Sequence, residues 1–525
     1  FTSMNKFKLF PLALAAFAFS ACTSEDAVEN NPNVEGVKSY VAVNINNVGA
    51  GGTRADGDYE YGVGKENTIS KVRFYFFTQS GQPYKMTDNK SYVDATPTLT
   101  AGTNENVEKF SNAILVINGA SKTAPYSMMA VVNPETLDEG VLKNEMTRTE
   151  VEDAVAKTAF LENENAANGF VMTSSVYAKG GEKMWTSDIS GFVQTTQTAA
   201  EAKPVDIFVE RVATKLVTVT SGITKLADNT TPAYKVGETT DGKVVYAKIK
   251  GWGVAVENTE ANLIKSINAT WTDASLGFSA ANPWNVEAYH RCFWETSSSA
   301  LATTKKNYND YATASEMPYY TLPNTVAPSQ YVVAAQLVYA DGTAAEICSY
   351  KGVEYLSEKD VKNVILAENK QFYKAVNDAT ANRKGLEADD IKFVVKADGS
   401  YEVKAQLNGE FELYKKVGGE FVQATADDVN LALGATAAQI RRGGMAYYYT
   451  KINHFGEAES TAQYGLVRNH VYKIDIKSIN GFGTPVYDPD SGFDPQTPDK
   501  VETYLAAKIN VLSWRVVGQH VELGK

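Results

Sequence analysis

The chain has 525 residues, with 50 Lys and Arg against 62 Asp and Glu, a net charge of −12. With no basic cluster, that balance excludes nucleic acid as an expected partner. Its length exceeds what one core can organise, so two or three domains are expected, and 44% hydrophobic content is ample to fill them.

The first element is a leader. Met4 reads as the true start, with Phe1-Thr2-Ser3 as a remnant ahead of it. Lys6 and Lys8 precede an apolar run, Leu9–Phe19, and Phe19-Ser20-Ala21-Cys22 closes it. That is an export signal, too short to span a membrane. Its end on Cys resembles a bacterial lipobox, which implies lipidation (palmitate among the acyl groups) at Cys22 and an outer-membrane precursor. A polar tether, Thr23–Gly36, follows. Lys38–Val48 then alternates as a strand, with Val41, Val43 and Ile45 on one face. The glycine-rich segment after it leaves the backbone free to enter a protease cleft. Arg54 is the single basic residue between Lys38 and Lys65. An arginine-specific protease therefore has one target here, and a cut at Arg54–Ala55 would separate the first strand from the body. The plainer reading is a surface loop that holds an arginine.

Further strands are expected at Val72–Phe77, Ala113–Asn118, Ser127–Val132 and Gly169–Ser175. One helix is expected at Thr149–Phe160, where Val151, Ala154 and Val155 have helical spacing. After Pro204, near which a domain boundary is placed, Val205–Thr220 reads as one long strand. The second domain holds strands at Val244–Val256, Gln330–Tyr339, Val403–Leu407, Ala446–Ile452 and Asn469–Ile479. Two short helices are capped by Ser357 and Thr425. Short alternating blocks, 29 Tyr and 22 Phe argue β-sandwiches rather than a parallel α/β sheet. Thr484–Lys500 has four prolines, four aspartates and little to bury, a solvated linker. In Thr503–Leu523, Leu505, Ala507, Ile509 and Val511 alternate. At Leu512 the phase slips, and Leu512, Trp514 and Val516 carry the apolar side onward, the pattern of a bulge or kink. Two readings stay open: an edge strand that folds back, or a strand offered to an open sheet edge in another molecule. Val41-x-Val43-x-Ile45 is similar to Leu505-x-Ala507-x-Ile509-x-Val511, so both segments suit the same kind of groove.

Catalytic chemistry finds no support. His290, His454, His470 and His520 show no H-E-x-x-H spacing, and His290, Cys292 and Cys348 make no compact zinc set. There is no G-x-S-x-G elbow, P-loop or dinucleotide fingerprint. Gly62-Val63-Gly64-Lys65 is a glycine-rich turn, and Asp488-Pro489-Asp490-Ser491-Gly492 falls short of a calcium loop. The chain reads as non-catalytic and without a cofactor. Cys292 and Cys348 are read as a disulfide or as two buried thiols.

Four features in order resemble the Bacteroidales fimbrillin family, the Mfa-like type V pilins. They are Phe19–Cys22, Gly51-Gly52-Thr53-Arg54-Ala55, Val209-Glu210-Arg211-Val212-Ala213, and Arg468-Asn469-His470-Val471-Tyr472-Lys473-Ile474-Asp475-Ile476-Lys477. Val511-Leu512-Ser513-Trp514 is similar to that family's ending, with Ser513 where Pro is usual. The resemblance implies an all-β fold: two transthyretin-like β-sandwich domains, a few short helices and a C-terminal donor-strand extension. On that frame residues 1–22 are a lipoprotein signal, 23–54 a propeptide, 55–203 and 204–482 the sandwiches, and 483–525 the linker and donor strands. It further implies cleavage after Arg54, release of Lys38–Val48 (Val41, Val43, Ile45), and entry of the next subunit's Leu505, Ala507, Ile509, Val511 and Trp514 into the vacated groove. Implied partners are further copies of the chain, tip and anchor subunits, an arginine-specific surface protease, and host or bacterial surface glycans or proteins. A tip subunit is expected to lack the C-terminal extension, and an anchor subunit to lack the cut. The alternative outside the class is a lipid-anchored glycan-binding protein, for which Trp284, Tyr289, Phe293 and Trp294 are the aromatic cluster. A packed core accounts for those four equally well.

Overall fold

The alternation read from the sequence becomes strands wherever one face, or both, can be buried. The computed structural model describes residues 37–48, 62–265, 303–452, 454, 465–493, 504–512 and 517–518, apart from 102–106, 122, 159–160, 162–167, 175–176, 180–181, 185–186, 221–223, 227–230, 314–317, 325–329, 377–378 and 398–400. The class is all-β with a few short helices, as expected.

The first sheet is built from Val37–Val48 (β1), Val72–Phe77 (β2), Tyr92–Ala95 (β3), Thr98–Ala101 (β4), Val107–Gly119 (β5), Ser127–Val132 (β6), Met172–Ser174 (β7) and Val205–Arg211 (β8). Their order is β3-β2-β6-β7-β8-β1-β5-β4, with Ser187–Asp188 added on β6. β3 also approaches β5, near the far end of that order, so the sheet curls around one core. Val41, Phe74, Phe76, Leu115, Ile117, Met128, Ile207 and Val209 meet there. β2 buries both faces: Tyr75 and Phe77 pack outward against Met129, Val151 and Ile264. A strand covered on both sides reads as a continuous apolar run, which is what Val-Arg-Phe-Tyr-Phe-Phe nearly is.

The second unit is a sandwich of two sheets. Thr214–Thr220 (β9), Pro232–Glu238 (β10), Val244–Val254 (β11), Tyr319–Thr321 (β12) and Gln330–Tyr339 (β13) precede an inserted module. Met445–Lys451 (β18), Val471–Asn480 (β19), Thr484–Pro485 (β20), Tyr504–Leu512 (β21) and Val517–Gly518 (β22) follow it, the numbers between being the module's strands named next. One sheet runs β12-β9-β19-β21-β22; the other runs from Thr224–Lys225 through β10-β11-β13-β18-β20. Leu216, Val245, Tyr331, Val333, Tyr448, Tyr472, Ile474 and Ile476 fill the space between them.

Between β13 and β18 the chain builds a module with a core of its own, including Cys348, Val361, Ile365, Phe372, Phe393, Leu413, Val429 and Ile440. Phe372–Val376 (β14), Ala379–Gly385 (β15), Leu413–Val417 (β16) and Glu420–Ala424 (β17) form one sheet in the order β15-β14-β16-β17. Its two helices, Glu358–Glu368 and Ala426–Leu433, begin where expected: the Ser357 and Thr425 hydroxyls accept from the Asp360 and Asp428 amides.

Three expectations need correction. The helix over Thr149–Phe160 is confined to Arg148–Glu152. Beyond it Val155–Lys157 pairs as a strand with Glu260–Asn262, and Ala156 is fully buried there. The strand over Val205–Thr220 is two strands in different sheets, β8 and β9, broken at Val212-Ala213. As far as Phe493 the acidic linker is anchored: Val486 and Phe493 are buried, and the Asn309 amide donates to Asp490 Oδ1 at 2.9 Å.

Candidate functional site

Both terminal strands that the sequence singles out are seated, each in a different sandwich. β1 is an interior strand. It runs parallel to β8, with Val43 opposite Val205 and Ile45 opposite Ile207. It runs antiparallel to β5, with Val41 opposite Leu115, Val43 opposite Ala113 and Ile45 opposite Ser111. Val41 is fully buried. A strand paired on both sides leaves two unsatisfied edges when it is removed, and an apolar trough between them.

β21 lies on β19 of its own chain, antiparallel. Leu505, Ala507, Ile509 and Val511 stand opposite Ile479, Ile476, Ile474 and Tyr472, and all four partners are fully buried. The register shift in this pair falls on β19, between Ile476 and Ser478. β21 ends at Leu512, and β22 returns along it with Val517 opposite Val511. Cys22, Arg54, Ala55 and Trp514 lie outside the described residues, as do His290, Cys292, His520 and the Trp284, Tyr289, Phe293 and Trp294 cluster.

Arg211 and Arg468, noted in the sequence only as parts of short motifs, meet where the two sandwiches join. The Asn469 amide donates to Ala213 O at 2.8 Å and the Lys215 amide to His470 O at 2.9 Å. Asn469 takes a left-handed φ of 58°, which Asn tolerates better than most residues. Its side-chain oxygen accepts from Arg211 at 3.1 Å, and Arg211 Nε donates to the Glu66 carbonyl. Arg468 donates to the Leu263 and Asn262 carbonyls, each at 2.7 Å. Beneath them the Glu66 carboxylate, wholly buried, lies 2.9 Å from the Lys215 ammonium and accepts the Tyr320 hydroxyl at 2.5 Å. Glu66, Lys215 and Tyr320 escaped sequence reading because each sits in a different segment with no local pattern. The signal that existed was the pair of motifs at Arg211 and Arg468.

The linker after β20 is held on the outer face of the second sandwich. The Phe493 ring sits 4.2 Å from Tyr447 and 5.4 Å from Tyr449, centroid to centroid, and its amide donates to Lys306 O at 2.9 Å. Tyr308 N donates to Pro489 O at 3.1 Å. Cys348 is a free, buried thiol, and burial raises its pKa well above the ordinary range. Among the described residues no three His, Cys, Asp or Glu side chains group as metal ligands. No helix among them is long and apolar enough to cross a membrane.

The family model for "Major fimbrial subunit protein type IV, Fimbrillin, C-terminal" matches residues 441–520. That stretch runs from the end of the inserted module through β18, β19 and β21, so the resemblance to fimbrillins is borne out over the part of the chain that carries the terminal strand. No curated protein sequence matches the chain. Among solved structures, a candidate cell adhesion protein from Parabacteroides distasonis is 13% identical, with 93% of this chain and 100% of that one covered and a TM-score of 0.39. A fimbrilin from Porphyromonas gingivalis is 15% identical over 93% and 100%, with a TM-score of 0.36. The tip fimbrial protein Mfa3 from the same organism is 11% identical over 91% and 100%, with a TM-score of 0.30.

Proposed function

We propose that the protein is a structural subunit of a cell-surface fimbria that polymerises by strand exchange. The observation that carries this reading is the placement of β1. It is an interior strand of the first sheet, and residues 49–61, which contain Arg54, connect it to the rest of that sheet. On this reading Cys22 is lipidated and delivers the precursor to the outer membrane. An arginine-specific protease cuts between Arg54 and Ala55, and β1 leaves. The open slot exposes an apolar trough that costs about 1.5–3 kcal/mol per large side chain left unburied. A neighbour's β21, drawn from its own β19, fills the slot through Leu505, Ala507, Ile509 and Val511, with Trp514 beyond them. The contact is head to tail and does not close, so it builds a filament. The protein then needs no catalytic residue of its own.

The test treats purified protein lacking the leader with a limiting amount of arginine-specific protease, followed by unboiled gels and negative-stain microscopy. Expected is a cut at Arg54–Ala55, then a ladder of oligomers or thin filaments. Ile509→Ala and Trp514→Ala should weaken assembly while leaving the subunit folded. A clean cut that leaves monomer would remove the donor role from β21 and favour the lipid-anchored glycan-binding alternative. Filaments from uncut Arg54→Ala protein would remove the role of β1 as a plug.

A further inference from the structure

The inserted module presents a surface of different character from the sandwiches that carry it. Among the described residues six large apolar side chains are exposed, and five of them, Val353, Val394, Val417, Val422 and Leu431, belong to the module. Its four-stranded sheet packs one face on the module core through Phe372 and Leu413. The other face follows from the register. Arg383 stands opposite Ala375, Tyr373 opposite Tyr414, Tyr414 opposite Gln423, and Lys416 opposite Phe421. Strand alternation puts these residues together on the side away from that core.

On that face the Arg383 guanidinium lies over two rings, 4.1 Å from the Tyr414 centroid and 4.8 Å from that of Phe421. Phe421 meets Tyr373 edge-on at 4.9 Å, and the Lys416 ammonium stands 5.6 Å from the Phe421 centroid. Arg383 Nε is buried with no hydrogen-bond partner. Lys374 and Lys384 are paired with Asp390 and Glu387. Arg383 and Lys416 have no carboxylate partner among the described residues, and Lys415, opposite Phe372, belongs to the other face. The Glu412 carboxylate accepts the Tyr414 hydroxyl at 2.5 Å. A chain of net charge −12 thus keeps two cations without an ion-pair partner beside aromatic rings on this face.

We propose that this face binds a carboxylated glycan, with Arg383 and Lys416 engaging uronic-acid carboxylates and Tyr373 and Phe421 receiving the sugar rings. A guanidinium held against two rings has less side-chain freedom to lose when it recognises a carboxylate at two points. An acidic peptide would be met by charge alone and would leave the rings unused. The site stands on the module's own geometry and does not depend on the fimbrial reading.

The experiment measures binding of hyaluronan oligosaccharides to the full chain by calorimetry, with neutral dextran and poly-glutamate as comparisons. Arg383→Gln and Phe421→Ala are each expected to weaken hyaluronan binding at least tenfold, while Lys362→Gln, on the module's first helix, leaves it unchanged. Arg383→Lys keeps the charge and loses the fork, so it should lose most of the binding too. Thermal unfolding of each variant separates loss of the site from loss of the module. The proposal is overturned if the chain does not bind hyaluronan, if poly-glutamate binds equally well, or if folded Arg383→Lys and Phe421→Ala retain wild-type affinity.

Discussion

The Glu66–Lys215 pair lies out of solvent where the two sandwiches meet, with the Tyr320 hydroxyl on the same carboxylate. Desolvating both ions is costly, so removing one partner exposes the full penalty of the other. Lys215→Met is expected to destabilise the protein by about 3–5 kcal/mol in denaturant unfolding. Adding Glu66→Leu to that variant should recover part of the loss, because two well-packed apolar groups replace a stranded charge. Full additivity of the two losses would show that the pair is not coupled. Arg468 acts on a smaller scale: its two donors reach two carbonyls in a planar fork. Lysine cannot reproduce that geometry, so Arg468→Lys should cost about 2 kcal/mol in the same assay.

At the scale of the element, β21 has a berth on β19, and the proposed exchange requires it to leave. Ile474 and Ile509 stand directly opposite, a spacing compatible with a disulfide between cysteines at those positions. The double variant Ile474→Cys, Ile509→Cys is expected to be cut at Arg54 yet remain monomeric when oxidised, and to give the oligomer ladder when reduced. A ladder from the oxidised, crosslinked protein would mean that β21 is not the strand exchanged. Phe493 fastens the linker to the second sandwich. Its ring is buried against Tyr447 and Tyr449, so the chain stays on the body well past Thr484, where the proline-rich composition begins. Phe493→Ala should cost about 3–5 kcal/mol locally. Residues 486–493 should then exchange amide hydrogens as fast as an unfolded segment, while β18 and β19 stay protected.

For the whole molecule, the cores are rich in tyrosine and the consequence appears in alkali. Burial pushes the Tyr75 phenol up to about 12 from an ordinary value of 10.0, and it raises Tyr331 and Tyr448, both fully buried, further still. A raised folded-state pKa means that the folded chain holds protons the unfolded chain has released. That contribution is complete below pH 10 and is lost as pH rises above it. Tyrosinate absorbance is therefore expected to rise together with loss of the far-ultraviolet β signal above pH 10. A full absorbance change in a still-folded protein would contradict the burial.

The sequence by itself determined the class and most of the strands, because a period of two with aromatic and β-branched residues admits little else. It also placed the caps at Ser357 and Thr425, where a hydroxyl three residues ahead of an acid acts over one turn. It named both terminal strands from their alternation alone. What only the tertiary structure decided depends on partners distant in the chain. Val205–Thr220 splits because its halves serve different sheets, and Val155 leaves its helix for a partner at Asn262. The Asp-rich linker is pinned because a buried tyrosine cluster accepts Phe493. The module is set apart because its strands close a core among themselves. Glu66, Lys215, Arg211 and Asn469 converge for the same reason: local pattern specifies which face is apolar, and only packing specifies what that face meets.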